Sequence, residues 1–210
     1  MPTFVAALVL LMLLGGCVAR PEQHIYVLGG SDPASDDRLD SRRMVIELKP
    51  VLIPDHMDTT DFLLRTGINE LSRSTTAIWG ERLSIGITRT LASALATRLP
   101  SVRFAVSPSA TRPARRIFVD IAVLEIRRGG ACTVGAHWTV SALGAESGPQ
   151  SAFAPVGAEA TVTTVAEGAS DESVVVALTH AIDQIADRIA ATLSDHIANS
   201  GTKMKTGGLG

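Results

Sequence analysis

The apolar positions of this chain fall into three kinds of pattern. Residues 4–14 form an unbroken apolar run. It is too short to span a bilayer as a stable helix, which needs ~20 residues, and it fits the core of a secretory signal peptide. Short extended runs follow at 24–28, stopped by Gly29-Gly30, and at 44–48, limited by Pro50 and Pro54. Residues 62–65 and 68–71 are short extended segments around Gly67 and predict a tight hairpin. Leu83, Ile87, Leu91 and Leu95 then fall four apart, with Ala94 beside them, which predicts a helix over 77–99 that ends before Pro100.

The second half repeats the alternation of strand and helix. Residues 117–126 are apolar on both faces and predict a central strand. Gly129-Gly130 joins them to 131–143, where Val134, Trp138 and Val140 share one face and Thr133, His137 and Thr139 the other. Two extended runs joined by glycines predict a hairpin, because tight turns require positive φ. After a break at Gly148-Pro149, residues 158–165 predict a further strand. Ser170 is placed to cap a last helix, with Asp171 and Glu172 favourable in its first turn. Leu178, Ile182, Ile185, Ile189, Leu193 and Ile197 give that helix its apolar stripe. This order predicts an α+β fold: a mainly antiparallel sheet with two long amphipathic helices packed on one face.

The expected organisation is a signal peptide over 1–16, a tether over 17–23, one domain over 24–198, and a Gly-rich polar tail over 199–210 expected to be disordered. A chain of 210 residues with 46% hydrophobic content is long enough for one sizeable core. The net charge of -2 and the lack of a basic patch argue against a nucleic-acid partner.

Leu14-Gly15-Gly16-Cys17 follows the apolar run directly. A branched apolar residue, two small residues and a cysteine form a lipobox, the cleavage and lipidation signal of bacterial lipoproteins. Cys17 is therefore the expected lipidation site. Its thiol would take a diacylglycerol and its freed amine a further acyl chain such as palmitate, which together give a stable membrane anchor. With Cys17 so occupied, Cys132 has no intramolecular disulfide partner and reads as a small buried hydrophobe.

The sequence offers little catalytic chemistry. There is no Gly-x-Ser-x-Gly motif, no phosphate-cradling loop before a helix, and no His-Glu-x-x-His pair among His24, His56, His137, His180 and His196. His180, Asp183 and Asp187 share a helical face, which solvated helix polarity explains as well as a metal would. The expectation is no catalytic residue, no metal and no cofactor.

One stretch is more specific. Pro54, Asp58, Arg65, Asn69, Glu70, Leu71, Trp79, Glu81 and Leu83 fall in register with a pattern that runs Leu-Pro-x-Tyr-Leu-Asp, apolar-apolar-x-Arg, Asn-Glu-Leu, Arg-Trp-Ala-Glu-Pro-Leu. Tyr26 and Leu28 match an early Tyr-x-Leu strand. In these positions the chain resembles the ABC-type transport auxiliary lipoproteins, the PqiC-like family. It departs from the pattern at His56, Met57, Ile78, Gly80 and Arg82.

The resemblance implies a non-enzymatic auxiliary component of an envelope transport system. Its partners would be a subunit carrying mammalian-cell-entry (MCE) domains and the ABC permease and ATPase, and its cargo lipids or other hydrophobic molecules. It implies an acyl anchor in the outer membrane with the domain facing the periplasm; Val18, not Asp, follows the cysteine. It is compatible with a homo-oligomer. The alternative is a periplasmic scaffold or assembly lipoprotein without a transport role. For the motif residues themselves two roles stay open. They fix a strand-to-helix connection, with Trp79 buried at the start of the helix and Arg65 paired to Glu70 across the turn, or they dock a partner through the loop at 58–61 and the turn at 67–70.

Overall fold

The computed structural model describes residues 22–29, 43–106, 112–142 and 155–206, with side chains as far as residue 198. The expected signal peptide, Cys17, most of the tether and the Gly148-Pro149 break lie outside the described residues. The ordered chain forms strands β1 (His24–Tyr26), β2 (Met44–Leu48), β3 (Asp61–Arg65) and β4 (Leu71–Trp79), then helix α1 (Leu83–Arg98). Strands β5 (Val102–Val106), β6 (Arg115–Ile126), β7 (Ala131–Ala142) and β8 (Val156–Val165) follow, and helix α2 (Asp171–Thr206) closes the order.

The α+β class holds, but the sheet differs from the expectation in number and direction. There are two sheets, ordered β1-β4-β3 and β5-β2-β6-β7-β8, and both are mixed. β1 runs parallel to β4, and β2 runs parallel to both β5 and β6, whereas β3–β4, β6–β7 and β7–β8 are antiparallel. Local alternation carries no information on strand direction. Each parallel pair needs a crossover, and between β2 and β5 that crossover contains α1.

The two helices pack on each other and on one face of the five-stranded sheet, α1 over β5 and α2 over β7 and β8. One core unites both sheets and both helices: Phe62, Trp79, Ile87, Leu91, Ile117, Val134, Leu178 and Ile189 are all buried in it. The inward residues of β7 are those of the expected apolar face, and the Trp138 indole N–H donates to Thr192 Oγ1 at 3.2 Å, which satisfies the one polar atom that burial would orphan. The β6–β7 turn takes four residues, not two, and Gly129 supplies its left-handed position at φ 59°.

Three further elements depart from the pattern reading. Residues 77–79 belong to β4, and α1 starts only at Leu83, so Trp79 ends a strand and does not open a helix. β5 was not expected at all. α2 continues through Thr206, over the stretch expected as a disordered tail. Ser170 does cap it, its Oγ accepting from the Ser173 N–H at 3.1 Å.

Candidate docking site

The motif residues lie along one hairpin, β3–β4, and separate into a base and a tip. At the base, a 3-10 turn (Asp55–Met57) ends at Asp58. The carboxylate of Asp58 accepts from the Ser84 N–H at 3.2 Å and pairs with Arg82. Arg82 is the N-cap residue of α1 and its own side chain makes no capping hydrogen bond. Asp58 thus caps the helix from outside it, satisfying a free N–H and placing negative charge at the positive helix end. Burial acts to raise the carboxyl's pKa, but the hydrogen bonds from Ser84 and the Arg82 guanidinium outweigh it and hold it below the ordinary aspartate range.

Trp79 and Glu81 are equally occupied. Trp79 is buried and stacks on Phe62 with ring centroids 4.6 Å apart; Tyr26 leans on the other side of Phe62 at 5.9 Å. Glu81 binds Arg89 at 2.5 Å, and Arg89 also donates to the Leu28 carbonyl at 3.0 Å, tying the end of β1 to α1. Asp58, Trp79 and Glu81 therefore fix the connection between sheet and helix.

The tip is different. Arg65 does not pair with Glu70, as expected; it donates to the Ile68 carbonyl at 2.8 Å and approaches Glu125 of β6 at 3.5 Å. The Glu70 carbonyl accepts from the N–H of Thr66 at 3.1 Å and closes the turn. Arg65 links the turn's backbone to β6, the Thr66–Glu70 bond closes the turn, and its side chains are left outside. Ile68 is 90% exposed, and Asn69 and Glu70 are exposed beside it. The turn thus presents an apolar side chain to solvent on a backbone held in place.

A second polar cluster was not legible from sequence. Asp171, expected as a favourable charge in the first turn of α2, is buried. It accepts from Ser74 at 3.1 Å and Thr76 at 2.7 Å, both on β4, and pairs with Arg128 of the β6–β7 turn at 2.7 Å. This joins the small sheet, the turn and the helix end. Its partners lie far away in sequence, so no local spacing announces them. Tyr26 lies close enough that burial, together with the charges of Asp171 and Glu172, raises its phenol pKa.

The remaining candidates hold the fold together. Asp183 and Asp187 face Arg98 of α1, whose Nε donates to Asp187 at 2.6 Å, and no group of three His, Cys, Asp or Glu among the described residues is arranged to hold a metal ion. A depression of about 360 Å³ lies beside this pair, lined by Leu28, Thr90, Ser93 and Thr179, with both its arginines already engaged by carboxylates. Burial pushes the Cys132 thiol up to about 12, against a weak pull from Thr164, which makes it a poor nucleophile. No described helix is long and apolar enough to cross a membrane.

Comparison with known proteins gives a family and a fold. The family model for the ABC-type transport auxiliary lipoprotein component matches residues 26–190. No curated protein matches. Among solved structures, an uncharacterised protein aligns with a TM-score of 0.65 at 15% identity, covering 82% of this chain and 99% of that one. A Xanthomonas campestris protein of the DUF330 family aligns with a TM-score of 0.57 at 14% identity, covering 89% of this chain and 98% of that one. At such identities the likeness shows the fold alone.

Proposed function

This chain belongs to the ABC-type transport auxiliary lipoprotein family, and from that premise we propose that it is a non-enzymatic periplasmic component held at the outer membrane by acyl chains on Cys17. In this reading it docks onto the MCE-domain subunit of an ABC-type system that moves lipids or other hydrophobic molecules between membranes. The observation that carries the docking role is the β3–β4 tip: Ile68, Asn69 and Glu70 face outward on a turn that Arg65 straps to β6. The other motif residues are engaged inside the molecule, which leaves the tip as the part of the motif free to meet a partner.

The anchor supports this role physically. A lipid-tethered domain is concentrated at its membrane, so a modest affinity for an envelope-spanning subunit becomes effective. A flat surface with one apolar contact and a charged neighbour serves such an interaction without a deep pocket. The test is co-purification of the tagged lipoprotein with the MCE-domain subunit from crosslinked cells that express both. Recovery of the permease and ATPase with it supports the transport reading; absence of any such complex promotes the scaffold alternative. Metabolic labelling with a fatty-acid probe checks the anchor: the wild type should be marked and Cys17→Ser should not, and equal labelling of both would rule it out.

A further inference from the structure

β1 is an edge strand with an unusual outward face. Tyr26 points inward onto Phe62, while Ile25 and, one residue past the strand, Val27 are 67% and 48% exposed. They meet at Gly80, where an added Cβ would lie 3.0 Å from Val27 Cγ2 and 3.2 Å from Ile25 Cγ2. Ile25 is also in register with Ile78 of β4, which is half-buried. The bare backbone of Gly80 lets these branched side chains close into one apolar surface at the corner of the small sheet. Solvent-facing strand positions ordinarily carry polar residues, and nothing in the described fold covers this surface.

We propose that the Ile25–Val27 face of β1 rests on the bilayer surface and orients the domain there. The inference builds on the acylation of Cys17. Ile25 lies eight residue steps beyond Cys17, and a chain spans at most ~3.3–3.6 Å per residue, so this face cannot leave the anchored membrane by more than roughly 28 Å. The acyl chains supply the attachment, and the patch supplies a preferred contact within that short reach. The contact lies at the headgroup and acyl boundary, where water and headgroups still serve the open backbone edge of β1; deeper immersion would strand those groups. β4 then separates the patch from the docking tip. β1 pairs with its last residues, Ala77 to Trp79, whereas the docking tip precedes its first residue, Leu71. The seven residue steps of extended strand from Leu71 to Ile78, at ~3.3 Å each, place the tip roughly 23 Å along β4 from the patch.

The test uses the full, acylated protein in vesicles of phosphatidylethanolamine and phosphatidylglycerol. An environment-sensitive fluorophore is attached in separate preparations at Val27→Cys, Ile25→Cys and Ile68→Cys. The Cys17 thiol is consumed by its lipid, and Cys132 is buried with its thiol pushed up to about 12, so the added cysteine takes the label. With brominated lipid in the vesicles, the probes at 25 and 27 should be quenched several-fold more than the probe at 68. Protein that floats with the vesicles but shows equal, weak quenching at all three positions overturns the contact and leaves the anchor intact. Protein that does not float overturns the anchor and the contact with it. Quenching at 25 and 27 that disappears when the MCE-domain subunit is added overturns the proposal in favour of a partner on this face.

Discussion

The base and the tip of the β3–β4 hairpin carry the same family-like motif and do opposite work. At the base, every charged or aromatic motif residue has a partner within the chain: Asp58 has Ser84 and Arg82, Glu81 has Arg89, and Trp79 has Phe62. At the tip, the chain spends its interactions on the backbone, and the side chains of Ile68, Asn69 and Glu70 are turned outward. The difference teaches that a dense run of motif residues is not one site. A helix start buried against a sheet must have its free N–H groups and its approach angle fixed, and that demand alone accounts for the base. No such demand acts on an exposed turn, and the side chain of Ile68 is not held there by packing.

Five substitutions sharpen or break the comparison. Trp79→Ala should have the largest effect, ~3–5 kcal/mol of stability, because it empties a buried stacked site; thermal melts of the soluble domain measure it, and an unchanged melt would move Trp79 to the partner-facing side. Asp171→Ala should cost ~2–3 kcal/mol in a denaturant titration, since it leaves Ser74, Thr76 and Arg128 without their shared acceptor. Asp58→Ala should cost ~1–2 kcal/mol as a lost helix cap. The sign of its pH dependence follows from the lowered pKa: the stabilisation is fully present above the unfolded aspartate value of about 3.9 and is lost as pH falls through the lower folded value. Melts of wild type and variant should therefore converge in acid; a gap that stays constant to the lowest pH would remove the charge from the account. Ile68→Asp and Glu70→Lys should each shift stability by no more than ~0.5 kcal/mol, as exposed positions do.

The sequence revealed those parts of the fold whose cause is local. The stripe from Leu178 to Leu193 announces α2 because a helix buries one face at a period of 3.6, and Gly129-Gly130 announces the β6–β7 hairpin, where Gly129 takes the left-handed position the turn needs. β4 was hidden because Ser74 and Thr76, polar and near the small sheet's helix contact, are satisfied by Asp171 more than ninety residues away; no reading of neighbours finds such a partner. The parallel pairing of β1 with β4 and of β2 with β5 is hidden for the same reason. The candidate site was half legible. Asn69 and Glu70 stand on the exposed turn that Gly67 suggests, whereas Asp58 belongs to the helix start, and Ile68, which the alternation alone assigns to a short strand, lies exposed on that turn.

The division of the motif is tested most directly by capture of the MCE-domain subunit with the acylated lipoprotein, comparing Ile68→Asp and Glu70→Lys with Asp58→Ala at temperatures where all are folded. The account predicts that the tip variants melt like the wild type and capture at least tenfold less subunit, while Asp58→Ala melts earlier and captures as much as the wild type. Tip variants that capture the subunit at the wild-type level would contradict it.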